Sequence, residues 1–214
     1  MTEDIRLQRR AKRRAQNRTD ILDAAEFVFA HEGFKDGSLR KIAERSGFSP
    51  AAIYLFFDNK ERLVAETLSR RGDELLTVLH RVADSQLDPL GKLHLVIDET
   101  TSFFGARPTF RFLLRHLRGG ESMTGSVLAN FSDPVENRFH EAMLLLARII
   151  EDGQESGQIR LGDAAVLAHL YSALVNEYVL FLGDDSTAMD QRLSPDQFHG
   201  LVDAALRIEG SGNA

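Results

Sequence analysis

The sequence predicts an all-α protein of about nine helices. Apolar residues recur at the spacing of a helical face in one segment after another, and no stretch alternates apolar and polar residues with the period of two that strands require. We find no internal repeat. With 214 residues, 43% of them hydrophobic, the chain is long and apolar enough to bury a sizeable core.

The first amphipathic segment follows Thr19, a residue that can cap a helix, and reaches Gly33, a residue that can end one. Its apolar face consists of Ile21, Leu22, Ala25, Val28 and Phe29. Residues 1–18, which precede it, carry seven Lys and Arg residues against Glu3 and Asp4. We predict a basic arm without a periodic structure of its own, which serves either as an interaction arm or as a solubilising tail.

Residues 38–57, SLRKIAERSGFSPAAIYLFF, predict two short helices around a break. The break contains Gly47, which adopts a left-handed turn without steric cost, and Ser49 with Pro50 suits the cap and first turn of the second helix. Two helices joined by a short turn that contains glycine are typical of a helix-turn-helix, whose second helix enters the major groove of DNA. The segment therefore predicts a DNA-binding element in which residues 49–52 face the base edges.

Further helical segments follow to the end of the chain. Asn59 is a suitable cap for a long helix over about residues 60–80. The helix that starts near Pro89 should stop before Arg107, because that residue precedes a proline. The remaining predicted helices cover residues 110–117, 135–155, 164–182 and 197–208.

Charge is distributed unevenly along the chain. Residues 1–72 carry 15 Lys and Arg against 11 Asp and Glu, a balance of +4, whereas residues 73–214 carry 11 against 21, a balance of −10. This asymmetry favours an N-terminal part that binds a polyanion. There is no cysteine, which excludes disulfides and thiolate chemistry. Without a signal peptide or an apolar run of about 20 residues, we expect a soluble cytoplasmic protein with no membrane partner.

Enzyme motifs are absent from the sequence. It contains no G-x-G-x-x-G, no phosphate-binding Walker loop and no G-x-S-x-G. The i, i+4 pairs His94/Asp98 and Glu136/His140 each supply only two ligands, too few for a metal site. We therefore predict no catalytic residues, no cofactor and no metal.

Residues 19–66 resemble the DNA-binding domain of the tetracycline-repressor (TetR) family. TDILDAAEFVFAHEGF is similar to the first helix of the family, and SLRKIAERSGFSPAAIYLFFDNKERL is similar to its Ile-Ala, Ala/Ser-Gly-Val-Ser, Leu-Tyr-x-His/Tyr-Phe, Ser-Lys-Glu-x-Leu signature. The resemblance covers about a quarter of the chain. It implies a three-helix DNA-binding domain over 19–66 after the basic arm of 1–18, and a helical effector-binding and dimerisation domain over 67–214.

The resemblance also implies roles for single residues. Ser38 and Thr19 match positions whose hydroxyls cap helices and touch phosphates. Tyr54 matches a tyrosine whose hydroxyl meets the DNA backbone, and Lys60 a lysine at a helix start that points at phosphate. Arg40 matches an arginine that some members place on guanine, although it can equally be a solvated surface charge. The predicted DNA-binding residues are Ser38, Arg40, Ser49, Pro50, Ala51, Ala52, Tyr54 and Lys60, with Arg13 and Arg14 from the arm.

The sequence departs from the family pattern at two points. Phe56 stands where His or Tyr is common, and a phenyl ring cannot donate a hydrogen bond to phosphate. Residues 49–52 contain no Arg, Lys, Asn or Gln, so direct readout there is limited to a hydroxyl and to contacts with thymine methyl groups. Specificity therefore depends on Arg40, on the arm reaching a minor groove, or on DNA shape.

Residues 164–182 are apolar nearly all round, which predicts a helix buried on every side. The resemblance implies that one side faces a second subunit, so that a two-fold homodimer presents two recognition helices to a palindromic operator. The alternative is a central core helix within one chain. The predicted interface residues are Leu174, Phe181, Phe198, Leu201, Val202 and Ala205.

Aromatic residues are concentrated between residues 103 and 139. Together with a few polar groups they could line an effector cavity, although ordinary core packing is the alternative for each of them. The predicted pocket residues are Phe103, Phe104, Phe112, His116, Phe139, Met143, Tyr171 and Asn176. Arg111, Arg115 and Arg118 form a basic stripe that either holds an anionic ligand group or is solvated.

The sequence as a whole predicts a ligand-responsive transcriptional regulator. We expect a repressor that binds double-stranded DNA at a palindromic operator as a homodimer and is released by a small, largely apolar effector. The alternative is a DNA-binding regulator or architectural protein without a small-molecule effector, which would have no cavity.

Overall fold

The computed structural model describes residues 2–119, 134–181 and 193–207. Within these ranges the chain is helical, and its extended pairing is limited to one antiparallel bridge between Ile159 and Arg207. The predicted all-α class is confirmed. The described helices are α1 (Thr2–Asp36), α2 (Leu39–Ser46), α3 (Pro50–Ile53), α4 (Lys60–Ala83), α5 (Pro89–Gly105), α6 (Pro108–Gly119), α7 (Pro134–Glu155), α8 (Ala164–Phe181) and α9 (Pro195–Leu206).

Helix α1 begins much earlier than predicted. Thr19 does not cap a helix: it lies inside α1, where its hydroxyl donates a hydrogen bond to the carbonyl of Ala15 at 3.1 Å. The prediction of a non-periodic arm is therefore wrong. Residues 2–18 contain neither glycine nor proline, and 12 of these 17 residues are Arg, Lys, Gln, Ala or Leu, which favour helix even where no apolar stripe is present. Regular helical geometry ends at Gly33, whose φ is 74°.

The break between α2 and α3 has the predicted geometry. The Ser38 hydroxyl accepts a hydrogen bond from the backbone N–H of Lys41, and Gly47 ends α2 with φ 73° and ψ 19°. The Ser49 hydroxyl accepts from the N–H of Ala52 at 3.1 Å. The side-chain oxygen of Asn59 likewise accepts from Arg62 at the start of α4. These caps are confirmed, and they explain why two helices of eight and four residues start and stop where they do.

The chain divides into two compact units, one formed by residues 1–71 and 112–135 and the other by 72–111 and 136–214. The core of the first unit contains fully buried residues from α1 to α4 and from α6. They include Ile21, Phe29, Ile42, Ile53, Phe57, Leu63 and Leu113. Helix α2 packs against α1 and α3 packs against α2, which supplies the tertiary support that helices of this length need.

The second unit is built around α5, which packs against α8 and α9. Its fully buried residues include Leu93, Ile97, Ile150, Ile159, Tyr171 and Val202. Phe103 and Phe104 near the end of α5 pack against Phe110 of α6, and the rings of Phe104 and Phe110 stack with centroids 5.6 Å apart.

Candidate nucleic-acid interface

Helix α3 buries one face and exposes the other. Ile53 is fully buried, whereas Ser49, Pro50 and Ala51 are exposed. The turn that continues α3 exposes two larger side chains, Tyr54 and Leu55. The exposed face therefore presents methyl and methylene groups, one phenol and a serine hydroxyl that already caps the helix.

Leu55 is absent from the predicted DNA-binding set. The residues predicted to face the base edges were those of the first turn, 49–52. The position of Leu55 four residues after Ala51 is the signal that was available, since residues at this spacing share a helix face. Leu55 is 75% exposed in the structure.

Arg40, the predicted base contact, and Lys60, the predicted phosphate contact, both form local contacts. Arg40 is exposed on α2, with its Nε 3.3 Å from a carboxylate oxygen of Glu44. This is an exposed i, i+4 ion pair of the kind that contributes little to stability, so it does not prevent the guanidinium from reaching a base. Lys60 is the first residue of α4, and its ammonium donates to the carbonyl of Lys35 at 3.4 Å and lies 5.9 Å from the centre of the Phe29 ring.

The first half of α1 carries an arginine stripe, which consists of Arg6, Arg9, Arg10, Arg13 and Arg14. Their spacing of three and four residues places them on one helix face. Residues 4–16 are all exposed. The guanidinium of Arg14 lies 5.9 Å from the centre of the Phe56 ring, so this ring, which cannot donate to phosphate, lies beside an arginine that can.

Arg18 joins the arginine stripe to the helix-turn-helix. Its Nη1 donates to the carbonyl of Phe56 at 3.3 Å, its guanidinium lies 4.6 Å from the centre of the Phe57 ring, and it forms an ion pair with Glu66 of α4. Partial burial, followed by the positive charges of Arg62 and Arg14, lowers the pKa of Arg18. From the sequence alone, Arg18 is simply one of the seven basic residues of the arm.

In the second unit, α8 is less buried than its composition suggested. Ala168, Tyr171 and Val175 face the core of the single chain, whereas the opposite side of α8 is apolar and exposed. This exposed side includes Val166, Leu170, Ala173 and Leu174. The prediction that α8 is buried on every side does not hold within one subunit. Amino-acid composition shows that a helix face is hydrophobic but does not show which other helix or subunit buries that face.

The predicted interface residues of α9 occupy two different environments. Leu201 and Ala205 are exposed, but Phe198 and Val202 are buried against their own chain, and the ring of Phe198 stacks on that of Tyr178 with centroids 4.0 Å apart. These two side chains cannot provide exposed surface for a partner, which corrects their assignment. An apolar groove of about 400 Å³ runs between α8 and α9, lined by residues that include Leu170, Leu174 and Ala205. The side chain of Phe181 lies outside the described residues.

The predicted effector residues do not come together in the described part of the chain. Phe103, Phe104 and Met143 are packed in the core, whereas Phe112 and Phe139 are about half exposed. Of the predicted residues with a described side chain, Tyr171 alone lines the groove between α8 and α9. Asn176 is half-buried and donates to the Ser172 hydroxyl at 3.4 Å. The side chains of His116 and Arg118 are not among those described.

Tyr171 is itself a structural residue. Its hydroxyl donates to the carbonyl of Leu93 on α5 at 2.5 Å. Complete burial, with a smaller contribution from the charge of Asp98, raises the pKa of Tyr171 well above the usual value of a tyrosine. The residue therefore joins α8 to α5 in its neutral form.

The pair His94/Asp98 is not arranged as the two ligands of one metal. His94 lies 2.8 Å from Asp203 and His199 lies 3.0 Å from Asp98, so each imidazole pairs with a carboxylate of the other helix. The two rings stack in parallel with centroids 4.5 Å apart. The described side chains bring no group of three potential ligands together.

Among the described residues, no helix has the length and apolar character needed to cross a membrane.

Comparisons with known proteins agree with the helix-turn-helix. Residues 21–67 match the family described as "Bacterial regulatory proteins, tetR family". The chain is 28% identical over 149 residues to the transcriptional repressor KstR2 of Rhodococcus jostii, a match that covers 67% of this chain and 68% of KstR2. It is 26% identical over 208 residues to the repressor NicS of Pseudomonas putida, which covers 92% and 94% of the two chains. The family match thus covers the helix-turn-helix, and the two repressors are similar to the chain beyond it.

The fold of this chain extends the similarity beyond the DNA-binding domain. The structure of the regulator FadR from Bacillus subtilis in complex with stearoyl-CoA superposes with a TM-score of 0.71 at 21% identity, over 92% of this chain and 99% of FadR. The shared fold therefore includes the C-terminal helices. KstR2 and NicS are transcriptional repressors, and together with the helix-turn-helix these matches support a DNA-binding transcriptional regulator.

Proposed function

We propose that this chain is a tetR-family regulator, a cytoplasmic repressor that binds a palindromic operator as a homodimer and is released by a small, largely apolar effector. The observation that carries the proposal is the surface of the first unit. There, the exposed face of α3, Lys60 at the start of α4 and the arginine stripe of α1 belong to one compact unit that is joined through Arg18.

The helical form of the arm changes how it engages DNA. An α-helix with its side chains is about 10–12 Å wide, whereas the minor groove is about 6 Å wide. Residues 2–18 do not fit that groove while they remain helical. We therefore assign Arg13 and Arg14, with the other members of the arginine stripe, to phosphate contacts, which strengthen binding to all sequences and carry no base information.

The exposed apolar side of α8 supports the homodimer. Leu170, Ala173 and Leu174 of this side line the groove of about 400 Å³ together with Ala205 of α9, and Leu201 of α9 is also exposed. A second copy placed about a two-fold axis covers this surface with the same residues. Two joined subunits then present two α3 helices to half-sites about 34 Å apart, which is the geometry of a palindromic operator.

The effector is supported by analogy and by residue type. FadR, which shares the fold, is seen with stearoyl-CoA, a ligand with a long apolar chain. Aromatic and apolar side chains of α5 to α8 suit such a chain. One observation favours a second candidate, a regulator without an effector: Phe103 and Phe104 already pack tightly against Phe110 and leave no space between these rings for a ligand.

One experiment separates the two candidates. The full-length protein selects binding sites from random double-stranded DNA, and its affinity for the selected site is measured by fluorescence anisotropy with and without a series of acyl-CoA thioesters. We expect a two-fold symmetric site, and release by a long-chain member. Binding to all duplexes with equal affinity overturns the repressor function, whereas a selected site that no thioester releases favours the regulator without an effector of this class.

A further inference from the structure

The recognition helix has an unusual chemistry for its position. Major-groove readers commonly use Arg, Lys, Asn or Gln, which form paired hydrogen bonds with base edges. The exposed face of α3 and its following turn contains none of these: it consists of Pro50, Ala51, Tyr54 and Leu55 with the capping Ser49. Its hydrogen-bonding groups are the phenol of Tyr54 and the hydroxyl of Ser49, which accepts the capping bond from Ala52 and can still donate.

Leu55 dominates this face. Among the large apolar side chains of the described residues, only Leu161 is more exposed, at 83% against 75%. The N–H of Leu55 donates to the carbonyl of Ala52 at 3.2 Å, a hydrogen bond across three residues in the turn that follows the end of α3 at Ile53. Leu55 is therefore held in a defined direction by the backbone, although its own side chain is uncovered.

We propose that Leu55, with Ala51 beside it, reads the operator by contact with the C5-methyl groups of thymine, and that Leu55 is a specificity-determining residue of this regulator. The inference rests on the proposed function and names the chemistry of its readout. The thymine methyl is the apolar group that a base edge presents in the major groove. Contact between this methyl and Leu55 removes both from water, and cytosine at the same place offers no such group.

The readout selects thymine by burial and not by hydrogen bonding. A buried methyl group contributes about 0.8 kcal/mol, which corresponds to a factor of about four in affinity for each methyl and half-site. This discrimination is weaker than that of a paired hydrogen bond. The arginine stripe and Lys60 supply affinity that is independent of DNA sequence. The methyl contacts therefore need to supply only the difference in affinity between one sequence and another.

The test uses the full-length protein and the site it selects from random DNA. Deoxyuridine replaces single thymines, which removes the methyl and leaves every hydrogen-bonding group in place. We expect a loss of about fourfold in affinity at one or two thymines of each half-site. In Leu55→Ala the same replacement should cost less than twofold. Leu161→Ala, at an exposed leucine of the second unit, serves as the matched control and should keep the full loss.

The outcomes are distinguishable. Selective DNA binding that is indifferent to deoxyuridine at every thymine overturns the methyl readout but leaves the proposed function standing. A loss with deoxyuridine that persists unchanged in Leu55→Ala removes Leu55 as the reader. Absence of any selected site overturns the proposed function together with this inference. Because Leu55 is exposed, its replacement leaves the core intact, and unchanged thermal unfolding of the variant verifies this.

Discussion

Arg71 donates a hydrogen bond through its Nε to Oε2 of Glu26 at 2.7 Å, and the Glu26 residue is only 5% exposed. Arg70 approaches the same oxygen at 3.4 Å and also forms an ion pair of 2.7 Å with Asp23. One buried carboxylate of α1 therefore meets two consecutive arginines of α4. This contact joins α1 to α4 within the first unit.

Removing the charge of Glu26 should destabilise the first unit. Glu26→Gln keeps the shape of the side chain but removes the buried counter-charge of Arg70 and Arg71, which we expect to cost about 3 kcal/mol. Asp23→Asn is the control: its carboxylate is 55% exposed, so the loss should stay below about 1 kcal/mol. Urea unfolding measures both. Equal losses in the two variants would contradict a special role of burial at Glu26.

Lys60 should contribute affinity without sequence preference. In Lys60→Ala we expect weaker binding to all duplexes and a decrease of roughly one to two units per dimer in the slope of log affinity against log salt concentration. Lys92→Ala is the matched control, since its ammonium also donates to a backbone carbonyl, that of Ala83, but lies in the second unit. Anisotropy over a salt series is the measurement. An unchanged slope for Lys60→Ala would remove this residue from the phosphate contacts.

Deletion of residues 2–16 should weaken DNA binding without unfolding the protein. Residues 4–16 are exposed, so the free energy of unfolding of the remaining chain should be unchanged. Each lost phosphate contact lowers the salt slope by about 0.9. Because the helical arm does not fit the minor groove, we expect no selective loss at flanking A·T pairs.

A variant with lysine at all five positions of the arginine stripe is the control for this deletion and should retain most of the salt slope. If the deletion selectively weakens binding to sites with flanking A·T pairs, the minor-groove interpretation is restored.

Tyr171 should make stability depend on alkaline pH. A tyrosine in the unfolded chain ionises near pH 10, whereas burial raises the pKa of Tyr171 in the folded protein well above that value. Above about pH 10 the unfolded state therefore loses a proton that the folded state keeps, and stability falls as the pH rises. Tyr171→Phe should lose about 1 kcal/mol at pH 7, where the hydrogen bond to Leu93 is missing, and should decline less steeply above pH 10. Urea unfolding at pH 7 to 11 tests this, and parallel declines would count against it.

A charge on the exposed side of α8 should separate the subunits. Leu174 is 37% exposed, so the carboxylate of Leu174→Glu can reach water in a single subunit but becomes buried without a partner charge in the proposed dimer. We expect a folded monomer with weak binding to the operator. Leu161→Glu, elsewhere in the second unit, should remain dimeric. Sedimentation and operator binding are measured on the same sample, and a monomeric variant with full operator affinity would contradict the dimer mechanism.

Features determined by neighbouring residues were readable from the sequence. The caps by Ser38, Ser49 and Asn59 and the left-handed Gly47 each depend on a hydrogen bond or a dihedral within a few positions. The helices were predicted with bounds close to those observed because glycine and proline mark their ends. For the same reason the helix-turn-helix, the most local part of the fold, was predicted most completely.

Features that depend on distant residues were not readable. The helix of the arm was missed for a different, local reason: the arm lacks an apolar stripe, although its residues favour helix. The burial of Phe198 and Val202 depends on packing between α9 and the rest of the unit, not on the pattern of α9. Leu55 belongs to a run that looks like core, and only the fold separates its exposed side chain from the buried Ile53 and Phe57.

The arginine stripe has a further consequence for the free protein. Arg6 with Arg10, Arg9 with Arg13 and Arg10 with Arg14 are like-charge pairs at i, i+4, each of which disfavours the helix by about 0.2–0.5 kcal/mol. These cations also lie toward the N-terminus, the positive end of the macrodipole of α1. Added salt screens both repulsions and shifts the helix–coil equilibrium of the arm toward helix. A higher ionic strength therefore has two opposite effects on this segment. It increases the helix content of the arm in the free regulator, and it weakens the binding of the same arginines to phosphate.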